Sequence, residues 1–176
     1  MKLYLVRHGE TDMNKEMRIC GVTDVPLNET GIRQARELAE KAKDIPFDII
    51  FASPLIRARQ TAEIVAAPHG LPVNIEPRLI ETNFGIYEGA SRANEEFWKI
   101  KPEPAIHFPG GESQFEVVAR IYPLIRELKE KYPDKNVLLV CHGSVGRYVD
   151  AYFNDWKVGE LVSWFISNCE IREYEL

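Results

Sequence analysis

Cysteine is scarce in this sequence, with three residues among 176, and no two of them form a C-x-x-C pair. An odd number of scattered thiols does not make a disulfide framework, so we expect Cys20, Cys141 and Cys169 to be reduced. The chain also lacks the run of about 18 apolar residues that a membrane-spanning helix needs. Charge returns at Arg7, before the apolar core of a secretion signal could form. These absences predict a cytoplasmic protein with no membrane partner.

Basic residues are not in excess either. The 27 acidic residues outnumber the 22 basic ones, which gives a formal net charge of -5 at pH 7. The field of the whole molecule therefore repels nucleic acid and anionic lipid, and we expect neither as a partner. Any anionic ligand must be held by a local group of cations.

Linkers, internal repeats and low-complexity tracts are also absent, and 45% hydrophobic with 28% charged residues is the balance of a globular protein. We therefore expect residues 1–176 to form one domain. Apolar runs of strand length alternate along the chain with amphipathic helical segments. The pattern predicts strands at residues 2–6, 48–52, 136–141, 163–166 and 169–174, and helices at residues 28–43, 55–67 and 113–131.

Alternating strands and helices predict an α/β fold, a three-layer αβα sandwich with a mostly parallel central sheet. Ligands of such sheets bind outside the carboxyl ends of the strands. Arg7 and His8 follow the first predicted strand, Arg57 comes shortly after the second, and His142 follows the strand at 136–141. We expect these four side chains to converge on one rim of the sheet.

Two arginines and two histidines at one rim are suited to binding a phosphoryl dianion. A planar guanidinium binds phosphate oxygens in pairs, and the helix N-termini expected after Ser53 and His142 add backbone N–H donors. A neutral imidazole acts as a nucleophile when its other ring nitrogen is fixed as a donor. Each of these residues taken singly is more often structural, so it is the combination that indicates phosphoryl transfer.

Five motifs in order along the chain resemble those of the histidine phosphatase superfamily, which includes the cofactor-dependent phosphoglycerate mutases. They are Arg-His-Gly-Glu-Thr at 7–11 with Asn14, Ser-Pro-Leu-Ile-Arg-Ala at 53–58, Glu81 before Phe84-Gly85 and Glu88-Gly89, Gly-Gly-Glu-Ser at 110–113, and His142-Gly143. The resemblance covers nearly the whole chain. It implies the phosphoglycerate mutase-like version of the sandwich fold.

The resemblance also implies a role for each matching residue. His8 is the nucleophile that becomes phosphorylated, and Glu81 gives a proton to the leaving oxygen and takes one from the attacking water. The implied catalytic residues are His8, Glu81, Arg7, Arg57 and His142. The implied substrate contacts are Asn14, Cys20, Gly21 and Gly143. We expect a small phosphorylated metabolite as the substrate, with no cofactor and no metal, and the oligomeric state is not predicted.

Residues 86–112, here called the lid, help to decide whether the phosphohistidine transfers its phosphoryl group to water or back to a substrate. A mutase must keep water away from its phosphoenzyme, whereas a phosphatase must admit water. Mutases of the family have a long insertion after the catalytic glutamate, with paired arginines. The lid is short and contains no adjacent arginine pair. It favours a phosphomonoester phosphatase, with phosphoglycerate mutase-type transfer as the alternative.

Two further functions stay open on the residues alone. Cys141 and Arg147 have the spacing of cysteine-based phosphatases, in which a thiolate before a helix attacks phosphorus, but this short pattern explains nothing upstream. The other is a phosphate-binding module without catalysis, which would require the loss of a catalytic group. A metal site built from His8, Glu10 and His142 is disfavoured, because the neighbouring arginines would repel a cation.

Overall fold

A computed structural model describes residues 1–175, apart from the side chain of Val158. The residues described form a five-stranded sheet with the strand order β3-β2-β4-β1-β5. The strands are β1 (Lys2–Arg7), β2 (Ile49–Ala52), β3 (Val73–Ile75), β4 (Asn136–Cys141) and β5 (Ile171–Glu175). The first four run parallel, and β5 pairs antiparallel with β1. The predicted mostly parallel sheet is confirmed.

Helices cover both faces of this sheet. They are α1 (Asp12–Lys15), α2 (Glu29–Ala42), α3 (Ile56–Ala66), α4 (Glu95–Ile100), α5 (Gln114–Lys131), α6 (Gly143–Phe153) and α7 (Val158–Leu161). Side chains Leu3 and Leu5 of β1 join the core under α5 and α6, while Tyr4 and Val6 join the core under α2 and α3. Successive strand residues point to opposite faces, so both faces of β1 are buried. The predicted three-layer sandwich is confirmed.

The helix starts follow the sequence signals with one exception. Asn28 caps α2, and its Oδ1 accepts a hydrogen bond of 2.9 Å from the backbone nitrogen of Gly31. Helix α3 begins at Ile56, one residue later than predicted, and Leu55 stands at its N-cap position without a side-chain cap. The Ser53 hydroxyl accepts from the backbone nitrogen of Leu55 and lies 2.7 Å from Nε2 of His142. In the part of the chain described here, no helix is long and apolar enough to cross a bilayer.

Three elements differ from the sequence prediction. The predicted strand at residues 163–166 is wrong, because β5 occupies the edge of β1 that this segment would have to join. Strand β3 is not evident in the sequence, because three residues are too few for an alternating pattern to show. Helix α4 lies inside the lid, where the sequence analysis predicts no helix. Asn94 caps it by accepting from the backbone nitrogen of Phe97.

Candidate active site

The carboxyl ends of β1, β2 and β4 meet at one edge of the sheet. Strand β4 lies between the other two, with Cys141 in register with Arg7 and Val140 in register with Ala52. Just past the strand end, the backbone nitrogen of His8 donates to the carbonyl of Cys141 at 3.0 Å. The fold therefore brings together the polar residues that follow the three strands.

His8 is buried, and both of its ring nitrogens are engaged. Nδ1 lies 2.7 Å from the carbonyl oxygen of Gly9, so this nitrogen must carry the ring proton. Nε2 accepts a hydrogen bond of 3.2 Å from Nε of Arg57. Burial, and then the positive charges of Arg57 and Arg7, lower the pKa of His8 well below its ordinary value. The imidazole is therefore neutral, with its lone pair on Nε2.

Arg57 lies in the first turn of α3 and has no exposed surface. Its Nη1 donates to the carbonyl of Thr23 at 2.8 Å, and its Nη2 donates to the carbonyl of Gly21 at 2.6 Å. Together with the bond to His8, these contacts fix the plane of the guanidinium. Gly21, expected to contact the substrate, contributes here by holding Arg57.

The segment that holds Arg57 is itself held by Glu88. The carboxylate of Glu88 accepts from the backbone nitrogens of Gly21, Val22 and Thr23 at 3.0 to 3.2 Å, and from Oγ1 of Thr23 at 2.6 Å. It also accepts from the backbone nitrogen of Phe84 at 3.1 Å. Sequence reasoning includes Glu88 in a motif but gives it no role. In the structure it links the lid to the backbone that positions Arg57.

Two buried polar atoms next to His8 have no hydrogen-bond partner within residues 1–175: Nε of Arg7 and Nδ1 of His142. Arg7 is anchored by Nη1, which donates to the carbonyl of Ile166 at 2.8 Å. His142 is anchored by Nε2, at 2.7 Å from Oγ of Ser53, and its ring centroid lies 5.1 Å from that of His8. Burying polar atoms without partners costs free energy. These atoms therefore indicate a position for a polar ligand beside His8.

The Ser53 hydroxyl holds one ring nitrogen of His142. Burial, followed by the charge of Arg57, lowers the pKa of His142 well below its ordinary value, so this ring is neutral as well. Oγ of Ser53 accepts from the backbone nitrogen of Leu55 at 3.3 Å and lies 2.7 Å from Nε2 of His142, to which it can either donate or accept. In the tautomer in which Ser53 donates, Nδ1 of His142 carries the ring proton and is a donor suited to a phosphate oxygen.

Glu81 is buried at the N-terminus of α6. Its Oε2 accepts from the backbone nitrogen of Ser144 at 3.0 Å, and its Oε1 accepts from those of Thr82 at 2.8 Å and Val145 at 3.3 Å. Backbone N–H groups at a helix start favour a negatively charged group. The carboxyl group is thus held rigidly where it can accept or release a proton.

Gly143 separates Glu81 from Arg7. A β-carbon built on Gly143 would lie 3.9 Å from Nε of Arg7 and 4.0 Å from Oε2 of Glu81. Since glycine has no β-carbon, the space between the guanidinium and the carboxylate stays open. An atom at the position of that β-carbon would be in van der Waals contact with both groups.

These groups open onto a cavity of about 500 Å³. The expected site residues that line it are Arg7, His8, Asn14, Cys20, Glu81 and Gly143. The lid contributes Arg92, Phe97, Trp98 and Lys101, and the opposite side is formed by residues of the segment 159–166. Arg57, His142 and Gly21 are not among the lining residues. Arg57 is bonded directly to the lining residue His8, Gly21 is bonded to Arg57, and His142 is bonded to Ser53.

Asn14 and Cys20 both line the cavity, but they differ in the hydrogen bonds that they can offer to a ligand. Oδ1 of Asn14 accepts from the backbone nitrogen of Thr11 in the capping box of α1, which leaves the amide nitrogen as its donor. Sγ of Cys20 lies 3.8 Å from the carbonyl of Thr23, and burial raises the pKa of this thiol. Asn14 can therefore donate to an anion, while Cys20 offers a neutral, weakly polar surface.

Cys141 does not reach the cavity. It has no exposed surface and packs in the core under α5 and α6, and burial raises the pKa of its thiol. A nucleophilic thiolate is normally found in a partly exposed, electropositive setting. The placement of Cys141 argues against a cysteine-based mechanism, although Arg147 from the same short pattern does line the cavity.

Sequence reasoning names Arg147 only as part of the cysteine-phosphatase pattern, and it gives the segment 159–166 no place in the lining. Arg147 comes four residues after Gly143 on α6, so helical spacing alone places both on one face. That signal was present in the sequence. The segment 159–166 carries no comparable signal, because its apolar run also fits a strand and its position depends on the rest of the fold.

Comparison with known proteins agrees with this geometry. A model of the histidine phosphatase superfamily (branch 1) matches residues 3–176. The chain is 38% identical over 176 residues to an uncharacterized phosphatase, PhoE, of Bacillus subtilis, covering 96% of this chain and 88% of that protein. It is 39% identical over 150 residues to the probable phosphoglycerate mutase GpmB of Cronobacter sakazakii, covering 81% and 70%. The solved structure of a mycobacterial glucosyl-3-phosphoglycerate phosphatase matches with a TM-score of 0.88 and 29% identity, covering 98% and 88%.

Proposed function

The chain belongs to the histidine phosphatase superfamily, and from this premise we propose that it hydrolyses phosphomonoesters through a phosphohistidine on His8. Glu81 acts as the general acid and base. The observation that carries the proposal is the neutral His8, whose Nε2 lone pair accepts a bond from Arg57, next to the unpartnered buried Nε of Arg7 and Nδ1 of His142. A nucleophile and donors for phosphate oxygens are thus preorganised in one place.

In the first step, the lone pair on Nε2 of His8 forms a bond to phosphorus, and the bond from phosphorus to the ester oxygen breaks. Arg57, Arg7 and His142 donate to the three oxygens of the phosphoryl group as charge spreads over them. Glu81 gives its proton to the leaving oxygen. Glu81 regains this proton from water in the second step, so the proton balance of the cycle is closed.

In the second step, water attacks the phosphorus of the phosphohistidine. Glu81, now a carboxylate, takes a proton from that water, and the bond from Nε2 to phosphorus breaks. The lone pair returns to His8, and inorganic phosphate leaves. The bond from Nδ1 to the carbonyl of Gly9 holds the ring in one tautomer throughout both steps.

The substrate class follows from the size of the cavity and from the relatives. A cavity of about 500 Å³ accepts a small phosphorylated metabolite, within the size range of ordinary ligand pockets. One structural neighbour is named as a phosphatase of glucosyl-3-phosphoglycerate, which is also a small phosphorylated metabolite. We therefore propose a small-molecule phosphomonoester as the substrate.

A phosphoglycerate mutase is the second candidate, because one relative of similar identity is named as a probable enzyme of that kind. A mutase returns the phosphoryl group from the histidine to a bound product, which requires a closed site. Within the described residues of the lid, the only α-helix is the short α4, Glu95–Ile100. So small a cover favours access of water to the phosphohistidine, and hence hydrolysis.

The test is a panel of phosphorylated metabolites, including 3-phosphoglycerate, assayed for free phosphate and for positional isomers. Wild type is expected to release phosphate without exchanging isomers, whereas isomer exchange would establish the mutase. Rapid quenching is expected to trap a phosphoenzyme that is labile in acid and stable in alkali. His8→Ala is expected to lose activity by about 10³-fold or more and to form no such intermediate.

Two variants make the assay specific. Cys141→Ser removes the alternative nucleophile and is expected to keep wild-type turnover. Glu81→Gln with p-nitrophenyl phosphate, whose leaving group needs little protonation, is expected to show a burst of nitrophenol followed by slow turnover. An acid-stable phosphoenzyme, or loss of activity in Cys141→Ser alone, would overturn the proposal.

A further inference from the structure

Helix α2 is packed directly against the loop that follows the nucleophile His8. A β-carbon built on Gly31, in the first turn of α2, would lie 2.1 Å from the carbonyl oxygen of Glu10. One built on Gly9 would lie 2.5 Å from the carbonyl oxygen of Gly31. No side chain fits at either position, so the backbone of the helix touches the backbone of the loop.

Asn28 joins the same loop to the start of α2. Its backbone nitrogen donates to the carbonyl oxygen of Glu10 at 3.0 Å, and its Nδ2 donates to Oε1 of Glu10, also at 3.0 Å. Asn28 is at the same time the cap of α2, because its Oδ1 accepts from the backbone nitrogen of Gly31. The N-terminus of α2 is therefore bonded to the loop by backbone and side chain together.

One peptide group of this loop, the one that joins Gly9 to Glu10, is hydrogen-bonded on both sides. Its N–H, which belongs to Glu10, donates to Oε1 of Gln34 at 2.9 Å. Its carbonyl, which belongs to Gly9, lies 2.7 Å from Nδ1 of His8. Gln34 lies on α2, three residues after Gly31, and no step of the proposed reaction uses it. A continuous chain of hydrogen bonds thus runs from Gln34 through this peptide to the nucleophile.

The two bonds of the Gly9–Glu10 peptide strengthen each other. An acceptor on the N–H of a peptide group makes its carbonyl oxygen more negative, and the bond that this oxygen accepts becomes stronger. The Gly9 carbonyl keeps the ring proton of His8 on Nδ1 and the lone pair on Nε2. When Nε2 bonds to phosphorus, positive charge develops on the ring, and the carbonyl stabilises that charge through Nδ1–H. The acceptor on Gln34 is therefore connected to the charge that develops on His8.

The preceding peptide group is held separately, by α3. The backbone nitrogen of Gly9 donates to Oγ1 of Thr61 at 3.0 Å, and this hydroxyl donates to the carbonyl of Arg57 at 2.8 Å. Thr61 has no exposed surface. Because Thr61 and Gln34 act on different peptide groups, the loss of Gln34 leaves the loop attached to α3 and frees only the peptide that accepts from His8.

We propose that Gln34 is a positioning residue for the nucleophile. Its Oε1 orients the Gly9–Glu10 peptide so that the Gly9 carbonyl holds His8 in the reactive tautomer. This inference rests on the proposed phosphatase function, because it gives Gln34 a part in the same reaction. Gln34 is not among the described residues that line the cavity, so its loss is expected to slow the transfer of the phosphoryl group without weakening phosphate binding.

The test compares three substitutions at this position. Gln34→Met keeps the length of the side chain and removes the acceptor, Gln34→Asn withdraws the acceptor by one methylene group, and Gln34→Glu keeps an acceptor oxygen at the same reach. Arg36→Met is the matched control, because Arg36 is an exposed residue of the same helix.

Three measurements separate the role of Gln34 from a general effect on the fold. Single-turnover mixing of excess enzyme with p-nitrophenyl phosphate gives the rate of transfer to His8. Inhibition by inorganic phosphate gives the affinity of the phosphoryl site. NMR of ligand-free protein labelled in its histidine nitrogens gives the tautomer of His8 and the rate at which its Nδ1 proton exchanges with water, without turnover.

Gln34→Met and Gln34→Asn are expected to slow the transfer to His8 by about three- to tenfold, as for the loss of one hydrogen bond, and to change the inhibition constant of phosphate by less than about twofold. In both variants the Nδ1 proton of His8 is expected to exchange with water at least about threefold faster. Gln34→Glu is expected to restore both rates to within about twofold of wild type, and Arg36→Met to leave them unchanged.

Unchanged transfer or unchanged Nδ1 exchange in folded Gln34→Met would overturn the positioning role of Gln34 and leave the phosphatase proposal intact. An equal loss in Gln34→Glu would also overturn it, because that variant still has the acceptor. If wild type released no nitrophenol, the phosphatase function would fail, whereas the NMR measurement would still decide whether Gln34 holds the His8 ring. Thermal unfolding checks that Gln34→Met has folded, and Gln34→Asn provides the answer if it has not.

Discussion

The guanidinium of Arg57 donates a hydrogen bond from its Nε to Nε2 of His8, over 3.2 Å. This contact engages the lone pair that must attack phosphorus, and the other two nitrogens of Arg57 are occupied by the carbonyls of Gly21 and Thr23. The bond orients the His8 ring, and the charge of Arg57 adds to burial in lowering the pKa of His8. In the proposed reaction, the same nitrogen donates to an oxygen of the phosphoryl group instead.

The first prediction concerns this arginine. Arg57→Lys keeps the positive charge but loses the planar fork that reaches Gly21, Thr23 and His8 together, so we expect kcat to fall by about 10²-fold. Arg59→Lys is the matched control, because Arg59 is an exposed residue of the same helix. Steady-state kinetics on a phosphomonoester measure both. Wild-type kcat in Arg57→Lys would show that the fork has no part in the reaction.

The second prediction concerns Glu88, whose carboxylate holds the segment 21–23 that positions Arg57. Glu88→Gln replaces an oxygen that accepts several backbone hydrogen bonds with an amide group that donates. We expect the free energy of unfolding to fall by about 2 to 3 kcal/mol, as for the loss of several hydrogen bonds to a partly buried charged group. We also expect kcat to fall at a temperature where the variant is fully folded, because Gly21 and Thr23 no longer fix Arg57.

Urea titration and kinetics at one temperature separate the two effects of Glu88→Gln. Glu95→Gln, an exposed change in the lid, is expected to alter neither quantity. If Glu88→Gln lost stability but kept wild-type kcat when folded, Glu88 would be only a structural residue.

Much of this site could be anticipated from sequence, because its residues immediately follow strands. Strand β1 is a buried run with a clear end, so Arg7 and His8 can be placed at a rim without knowing the rest of the fold. Glu81 has no such marker. It follows a short 3-10 turn, and only the resemblance to a family singled it out.

The far wall of the cavity could not be anticipated. Trp164 and Ile166 are apolar residues whose spacing predicts a strand, and such a strand would have to pair with the edge of β1. That edge is occupied by β5 instead. Two segments could pair with β1 there, and the local sequence pattern does not show which of them does. The carbonyl of Ile166 is consequently free to anchor Arg7.

The third prediction is a dependence of stability on pH. His8 and His142 both have pKa values lowered well below the ordinary 6.5, chiefly by burial. Below that pH, these two histidines bind protons in the unfolded chain but stay neutral in the folded one. The free energy of unfolding should therefore fall as the pH drops below about 6.5, by up to about 1.4 kcal/mol per pH unit for each histidine.

Urea titrations of wild type and His142→Gln between about pH 7.5 and about pH 5.5 measure this slope, because histidine in an unfolded chain titrates within that range. Above the ordinary histidine pKa, both proteins are expected to show the same slope. Below it, the variant is expected to lose the share that belongs to His142. Identical slopes over the whole range would mean that His142 takes up its proton equally in the folded and unfolded states.

The fourth prediction separates stability from activity at Gly143. A methyl group there would lie in ordinary contact with Nε of Arg7 and Oε2 of Glu81, at 3.9 and 4.0 Å, so Gly143→Ala does not disturb the fold. Alanine is also the better helix residue, and we expect the free energy of unfolding to stay level or to rise by up to about 1 kcal/mol. The methyl group nevertheless fills the space in which a phosphate oxygen must approach both groups. We therefore expect kcat/KM to fall by about tenfold or more in a protein that is no less stable. Urea titration and kinetics on the same preparation check this, and full activity in Gly143→Ala would mean that the phosphoryl group does not bind between Arg7 and Glu81.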